Sequence, residues 1–131
     1  VWRQHMDHWD HDGTLMKLSC LPSELIATLD WVRETSRKEG LQFAVAGRVG
    51  LGVTDIRLEG PVDAQARLIL TLRERFPIGR GSVVLRRADL ALRQMVDVWG
   101  PIGTGMNVMR AVKNRFDSAN RLNAFRGPAG L

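Results

Sequence analysis

The sequence predicts an α+β fold: a ferredoxin-like split β-α-β-β-α-β unit with an antiparallel sheet, both helices on one face, and an added C-terminal helix and tail. Three observations carry this. Four short stretches alternate apolar and polar residues, two longer ones repeat at helical spacing between them, and Gly or Pro marks most boundaries. For that order, the connection rules favour a four-stranded antiparallel sheet with the helices together on one side. At 131 residues the chain suits one domain. It divides into a lead-in segment (1–12), the ferredoxin-like unit (14–95), and a C-terminal helix and tail (96–131).

The lead-in segment holds Trp2, Trp9, His5, His8 and His11 among Asp7, Asp10 and Asp12. Imidazoles are common metal ligands. On a helix, however, His11 is rotated away from His5, and on a strand His8 faces the opposite side. The segment therefore reads as solvated, and no metal site is assigned. Asp12-Gly13 signals a turn, after which Met16, Leu18 and Cys20 alternate with Lys17 and Ser19 as a half-buried strand. Pro22 suits a first helical position and Glu24 favours the positive helix N-terminus. Leu25, Ile26, Leu29 and Val32 then form the expected apolar face, with Gly40 as the stop.

Residues 41–47 and 52–60 flank Arg48-Val49-Gly50-Leu51 as a hairpin, with Thr54, Ile56 and Leu58 on one face and Asp55, Arg57 and Glu59 on a solvated one. Gly47, Gly50 and Gly52 resemble a phosphate loop only superficially, because no helix pattern follows them. The second helix is expected from Asp63, its N-cap, to Phe76, with Pro77 ending it. Leu68, Ile69, Leu72 and Phe76 face inward, while Arg67, Arg73, Glu74 and Arg75 face largely outward. Residues 82–87 make the last strand. Leu90, Leu92, Met95 and Val98 are the apolar positions of the stretch that crosses back from the sheet.

Charge is distributed unevenly. Residues 1–65 hold seven Lys/Arg against ten Asp/Glu, a balance of −3, whereas residues 66–131 hold twelve against four, a balance of +8. An anionic ligand, a nucleic acid or an acidic partner would each suit the basic half; a solvated basic face is the default. RNA recognition needs stacking aromatics on the central strands, and here those strands present Met16, Leu18, Ile56, Leu58 and Val83, with Phe43 the only aromatic. No nucleic-acid partner is expected. No run of about 18 apolar residues spans a membrane, and no apolar signal region opens the chain. Cys20 has no partner for an internal disulfide and is expected as a buried free thiol, which points to a cytoplasmic protein. No nucleophile, base and carboxylate converge, so no catalytic residue is assigned.

The last third is the most specific stretch. Met106, Met109, Val112 and Phe116 mark an amphipathic helix whose other side carries Arg110, Lys113 and Arg115. The chain reads Val96-Asp97-Val98-Trp99-Gly100, then Val108-Met109-Arg110-Ala111-Val112-Lys113, then Phe116-Asp117, Leu122-Asn123, Arg126 and Gly130-Leu131. This resembles the C-terminus of FAD-linked oxidases of the vanillyl-alcohol oxidase superfamily, above all the glycolate oxidase FAD-binding (E-type) subunits. Those have V-D-V-W-G, a helix ending L-M-R-x-[LV]-K, and F-D-P-x-x-x-L-N-P-G-R-F-x-G-G-I. Ser118 stands where the family has Pro, and Ala124-Phe125 where it has Pro-Gly, so the fixed φ of Pro and the permissive backbone of Gly are both missing at the tightest turn. Asn120 is compatible with a left-handed conformation there.

The resemblance implies the C-terminal cap domain of a flavoprotein, a fragment of a longer protein and not catalytic alone; the initial Val1 agrees with a fragment. It implies FAD as cofactor in the full-length protein, a 2-hydroxy acid such as glycolate as substrate, and an N-terminal FAD-binding domain as first partner. A second flavin subunit and an iron–sulfur subunit are further implied partners. By the same analogy Asn123 and Arg126 are the tail residues that approach FAD, and Phe125 contributes packing only. An equal alternative for Asn123 is a C-cap hydrogen bond. The rival for the whole chain is a standalone ferredoxin-like ligand- or RNA-binding module without catalytic activity.

Overall fold

The computed structural model describes residues 12–131, so the three histidines lie outside the described residues. The described residues form two compact units, the first ending at Gly100 and the second running Pro101–Leu131. In the first, β1 (Thr14–Cys20), α1 (Pro22–Lys38), β2 (Gln42–Arg48), β3 (Val53–Glu59), α2 (Val62–Glu74) and β4 (Gly81–Arg87) follow in the expected order, with a short α3 (Leu90–Met95) after them. The sheet runs β2-β3-β1-β4, and every neighbouring pair is antiparallel. This is the ferredoxin-like split arrangement.

Register explains the core. Met16 lies opposite Ile56 on one side and Leu85 on the other, and Leu18 lies opposite Thr54 and Val83. Because strand side chains alternate, these residues share one face, on which Leu25 and Val32 of α1 and Leu68, Ile69 and Leu72 of α2 pack. Each such side chain contributes about 1.5–3 kcal/mol on burial. On the other face, Arg86 of β4 reaches across β1 to Asp55 of β3 with Nη1–O distances of 3.0 and 3.2 Å. Asp55 is consequently buried, not solvated as the alternation predicted.

Several other local expectations need correction. Ile26 is 60% exposed, and Thr28 and Ser36 take inward positions on α1 instead. The N-cap of α2 is Pro61, with Asp63 inside the first turn, and the helix stops at Glu74. Phe76 lies beyond that end and packs against the core from a partly buried position. Cys20 is half-buried, and burial aided by Glu24 pushes its thiol pKa up, which makes it a poor nucleophile. Leu90 and Met95 are exposed; Leu92 and Val96 supply the buried contacts of that stretch.

Arg73 also departs from expectation. It is not outward: its guanidinium donates to the Val83 carbonyl at 3.1 and 2.9 Å and to the Val98 carbonyl at 3.3 Å. Periodicity placed it on the wet side of α2, but a long side chain can bury its stem and carry its head inward to carbonyls. The hairpin turn behaves as predicted. Val49–Leu51 forms a single 3-10 turn closed by Gly52 at φ +65°. A Cβ at Gly52 would come within 2.0 Å of the Cys20 carbonyl oxygen, so the close approach of the two chains requires glycine there.

Candidate ligand groove of the C-terminal unit

The second unit is built on α4 (Gly105–Phe116), with the tail turning back after it. The helix is amphipathic, yet none of its residues is buried. Val108, Met109, Val112 and Phe116 are all exposed, as are Leu122 and Phe125 of the tail. Methionines at helical spacing usually mark a core; here Met109 belongs to an open apolar wall instead.

Asp117 makes the tail return. Its carboxylate accepts hydrogen bonds from the Arg121 N–H at 2.8 Å and the Leu122 N–H at 2.9 Å, and from the Lys113 ammonium one turn back on α4. Lys113 also donates to the Leu122 carbonyl at 2.6 Å. The Lys113 hydrogen bond, with the two backbone donors, lowers the Asp117 pKa to about 2. Reading the helix by its faces alone grouped Lys113 with the solvated cations. Its i,i+4 spacing to Asp117 was the signal for a pair.

Farther on, the Arg126 N–H donates to the Asn123 carbonyl at 3.0 Å, closing a four-residue turn with Ala124 and Phe125 at its centre. Phe125, the third residue, has φ +63°. A positive φ at that position is the feature of a type II turn, for which Gly is preferred there and Pro is common one residue earlier. Asn120 and Asn123 also take φ +49°. Asn tolerates this conformation better than most residues; Phe does not. The side-chain Oδ1 of Asn120 is buried without a hydrogen-bond partner among the described residues.

The return of the tail leaves a groove of about 700 Å³. Val108, Met109 and Val112 of α4 line it together with Leu122, Pro128 and Leu131 of the tail. Lys113, Asn123 and Arg126 supply its polar groups. Thus both residues singled out in the sequence, Asn123 and Arg126, line one groove, and Phe125 beside them is 80% exposed. Leu122, Pro128 and Leu131 were not singled out, since isolated apolar residues in a Gly/Pro-rich tail carry no periodicity. Residues 101–131 hold five Lys/Arg against a single acid, Asp117. That acid is committed to Lys113 and the backbone, so the surroundings of the groove favour an anion.

Among the described residues no group of three or more His, Cys, Asp or Glu is placed to hold a metal, and no helix is long and apolar enough to cross a membrane. Phe43 packs against the core, so none of the four described strands carries an aromatic on the far face of the sheet. Comparisons with protein-family models, curated proteins and solved structures each found no match.

Proposed function

We propose that this chain is the C-terminal cap domain of a cytoplasmic FAD-dependent oxidoreductase acting on a 2-hydroxy acid such as glycolate, inactive without an FAD-binding domain supplied upstream. The observation that carries this reading is the 123–126 turn. Neither residue of the family's Pro-Gly pair is present, yet Phe125 takes the positive φ that a Gly at that place serves. Asn123 and Arg126 flank the turn and line the same groove. The free thiol of Cys20 agrees with a reducing compartment.

The groove fits part of a flavin cofactor. An apolar wall with an amide and a guanidinium suits one side of the ring system or a phosphate oxygen. A whole dinucleotide needs more, and Gly47, Gly50 and Gly52 sit in a hairpin with no helix N-terminus to cradle a pyrophosphate. The remaining contacts therefore belong to the FAD-binding domain in this proposal. Bound FAD supplies hydride acceptance. This chain's part is positional: Arg126 holds negative charge, Asn123 offers an amide, and the wall of Val108, Met109 and Val112 excludes water.

The test is Arg126→Ala in the intact flavoprotein, read by flavin content after gel filtration. Loss of a charge-assisted hydrogen bond costs about 1.5–3 kcal/mol, or roughly ten- to a hundredfold in affinity. FAD retention should fall while the melting of the cap domain stays unchanged. Equal flavin content in the variant, or an upstream reading frame lacking an FAD-binding domain, would sink the proposal in favour of a standalone binding module.

A further inference from the structure

Strand β2 lies at one edge of the sheet. In the order β2-β3-β1-β4, no strand among the described residues lies on its other side. An edge strand offers a row of unpaired N–H and C=O groups, and proteins guard such rows with lysine, proline, a bulge or a covering segment. The opposite edge has some cover, since the Leu85 N–H of β4 donates to the Val98 carbonyl at 2.8 Å. Among the described residues of the first unit, β2 has no lysine, proline, bulge or added strand to guard it. It reads Gln-Phe-Ala-Val-Ala-Gly-Arg, pairs with β3 without a register shift, and carries one charge, Arg48, at its end.

We infer that β2 pairs antiparallel with β2 of a second copy of this chain, about a two-fold axis through Val45, joining the two sheets into one. The strand is complementary to itself in this register. Val45 meets Val45, Ala44 meets Ala46, Phe43 meets Gly47, and Gln42 meets Arg48. The pairs also fall on matching faces. Phe43, Val45 and Gly47 share the helix-covered side, where Val45 is still 38% exposed because the core stops at this edge. A second copy would continue that core across the seam through the facing Val45 and Phe43 side chains. On the far side Ala44 and Ala46 are small enough for close approach. Arg48 would arrive opposite Gln42, whose neighbour on β3 is Glu59. Glu59, which pairs with Arg57 at 3.3 Å, would then be shared with the second copy's Arg48 at each end of the ladder, and no like charges lie directly opposite each other. A two-fold, isologous contact of this kind is the commonest form of homodimer.

The partner residue facing Val45 is Val45 itself, which allows a decisive experiment. Sedimentation equilibrium is run on the 131-residue chain from low to several hundred micromolar, with Val45→Glu, with Val45→Lys, and with their equimolar mixture. Far-UV circular dichroism of each variant checks the fold. The wild type should dimerise, each variant alone should be weakened by about tenfold or more through like charges directly opposed, and the mixture should recover a heterodimer. A monomeric wild type overturns the inference, as does dimerisation untouched by either variant, or a mixture that stays monomeric. If both variants unfold, the wild type still decides: its β2 amides should gain exchange protection as concentration rises, and concentration-independent exchange overturns the pairing.

Discussion

Lys113 and Asp117 form an ion pair across one turn of α4, and the same carboxylate anchors the chain that leaves the helix. The Asp117 side chain is only 8% exposed, and three donors converge on it. Its pKa is lowered to about 2 from an ordinary 3.8, so the stabilisation is complete above roughly pH 4 and is lost as pH falls toward 2. The Arg121 and Leu122 amides should therefore lose exchange protection across that window, and Asp117→Asn should lose it already at neutral pH. Protection of both amides unchanged at pH 2 would contradict the assignment.

Arg73 ties α2 to two carbonyls on different segments, Val83 and Val98, and burial lowers its pKa against the opposing pull of Asp97. Hydrogen bonds from a charged donor contribute about 1.5–3 kcal/mol, and truncation also takes both guanidinium donors from the Val83 carbonyl, while the Val98 carbonyl keeps the Leu85 N–H. Arg73→Ala should destabilise the first unit by about that amount in urea unfolding. Arg73→Lys should rescue little of it, because an ammonium cannot fork between two acceptors. Full rescue by lysine would show that charge, and not the planar fork, is what matters.

The sheet was legible because its signal is periodic: alternation at Met16, Leu18, Ile56 and Leu58 fixes which side faces the helices, and the observed register preserves it. Arg73 and Asp55 were misread for a common reason. Periodicity assigns a side chain to a face by its Cβ direction, while a long Arg can turn its head inward or reach across a neighbouring strand to a carboxylate. The groove was half legible. Asn123 and Arg126 were reached through the family likeness, but the rest of the tail's lining depends on how Asp117 turns the tail, and one carboxylate gathering two backbone N–H groups leaves only a spacing in the sequence. The exposure of α4 was hidden altogether, since an apolar stripe looks the same whether or not it is covered.

The turn at 123–126 supplies the last prediction. A non-glycine residue in the left-handed region carries a cost of roughly 1–2 kcal/mol, and Phe125 holds φ +63° while 80% exposed, so packing returns little of it. Phe125→Gly removes that strain. Glycine's greater freedom in the open chain offsets about 0.5–1 kcal/mol, leaving a net gain of similar size. Protection of the Arg126 amide, which closes the turn onto Asn123, should therefore rise about two- to fivefold. Phe125→Ala is the control: it removes the same exposed ring but keeps a Cβ in the strained conformation, and should give no gain. Equal protection in the Gly and Ala variants would mean that the backbone at Phe125 is not what limits the turn. In that case the family's glycine would have no counterpart in the conformation of this tail.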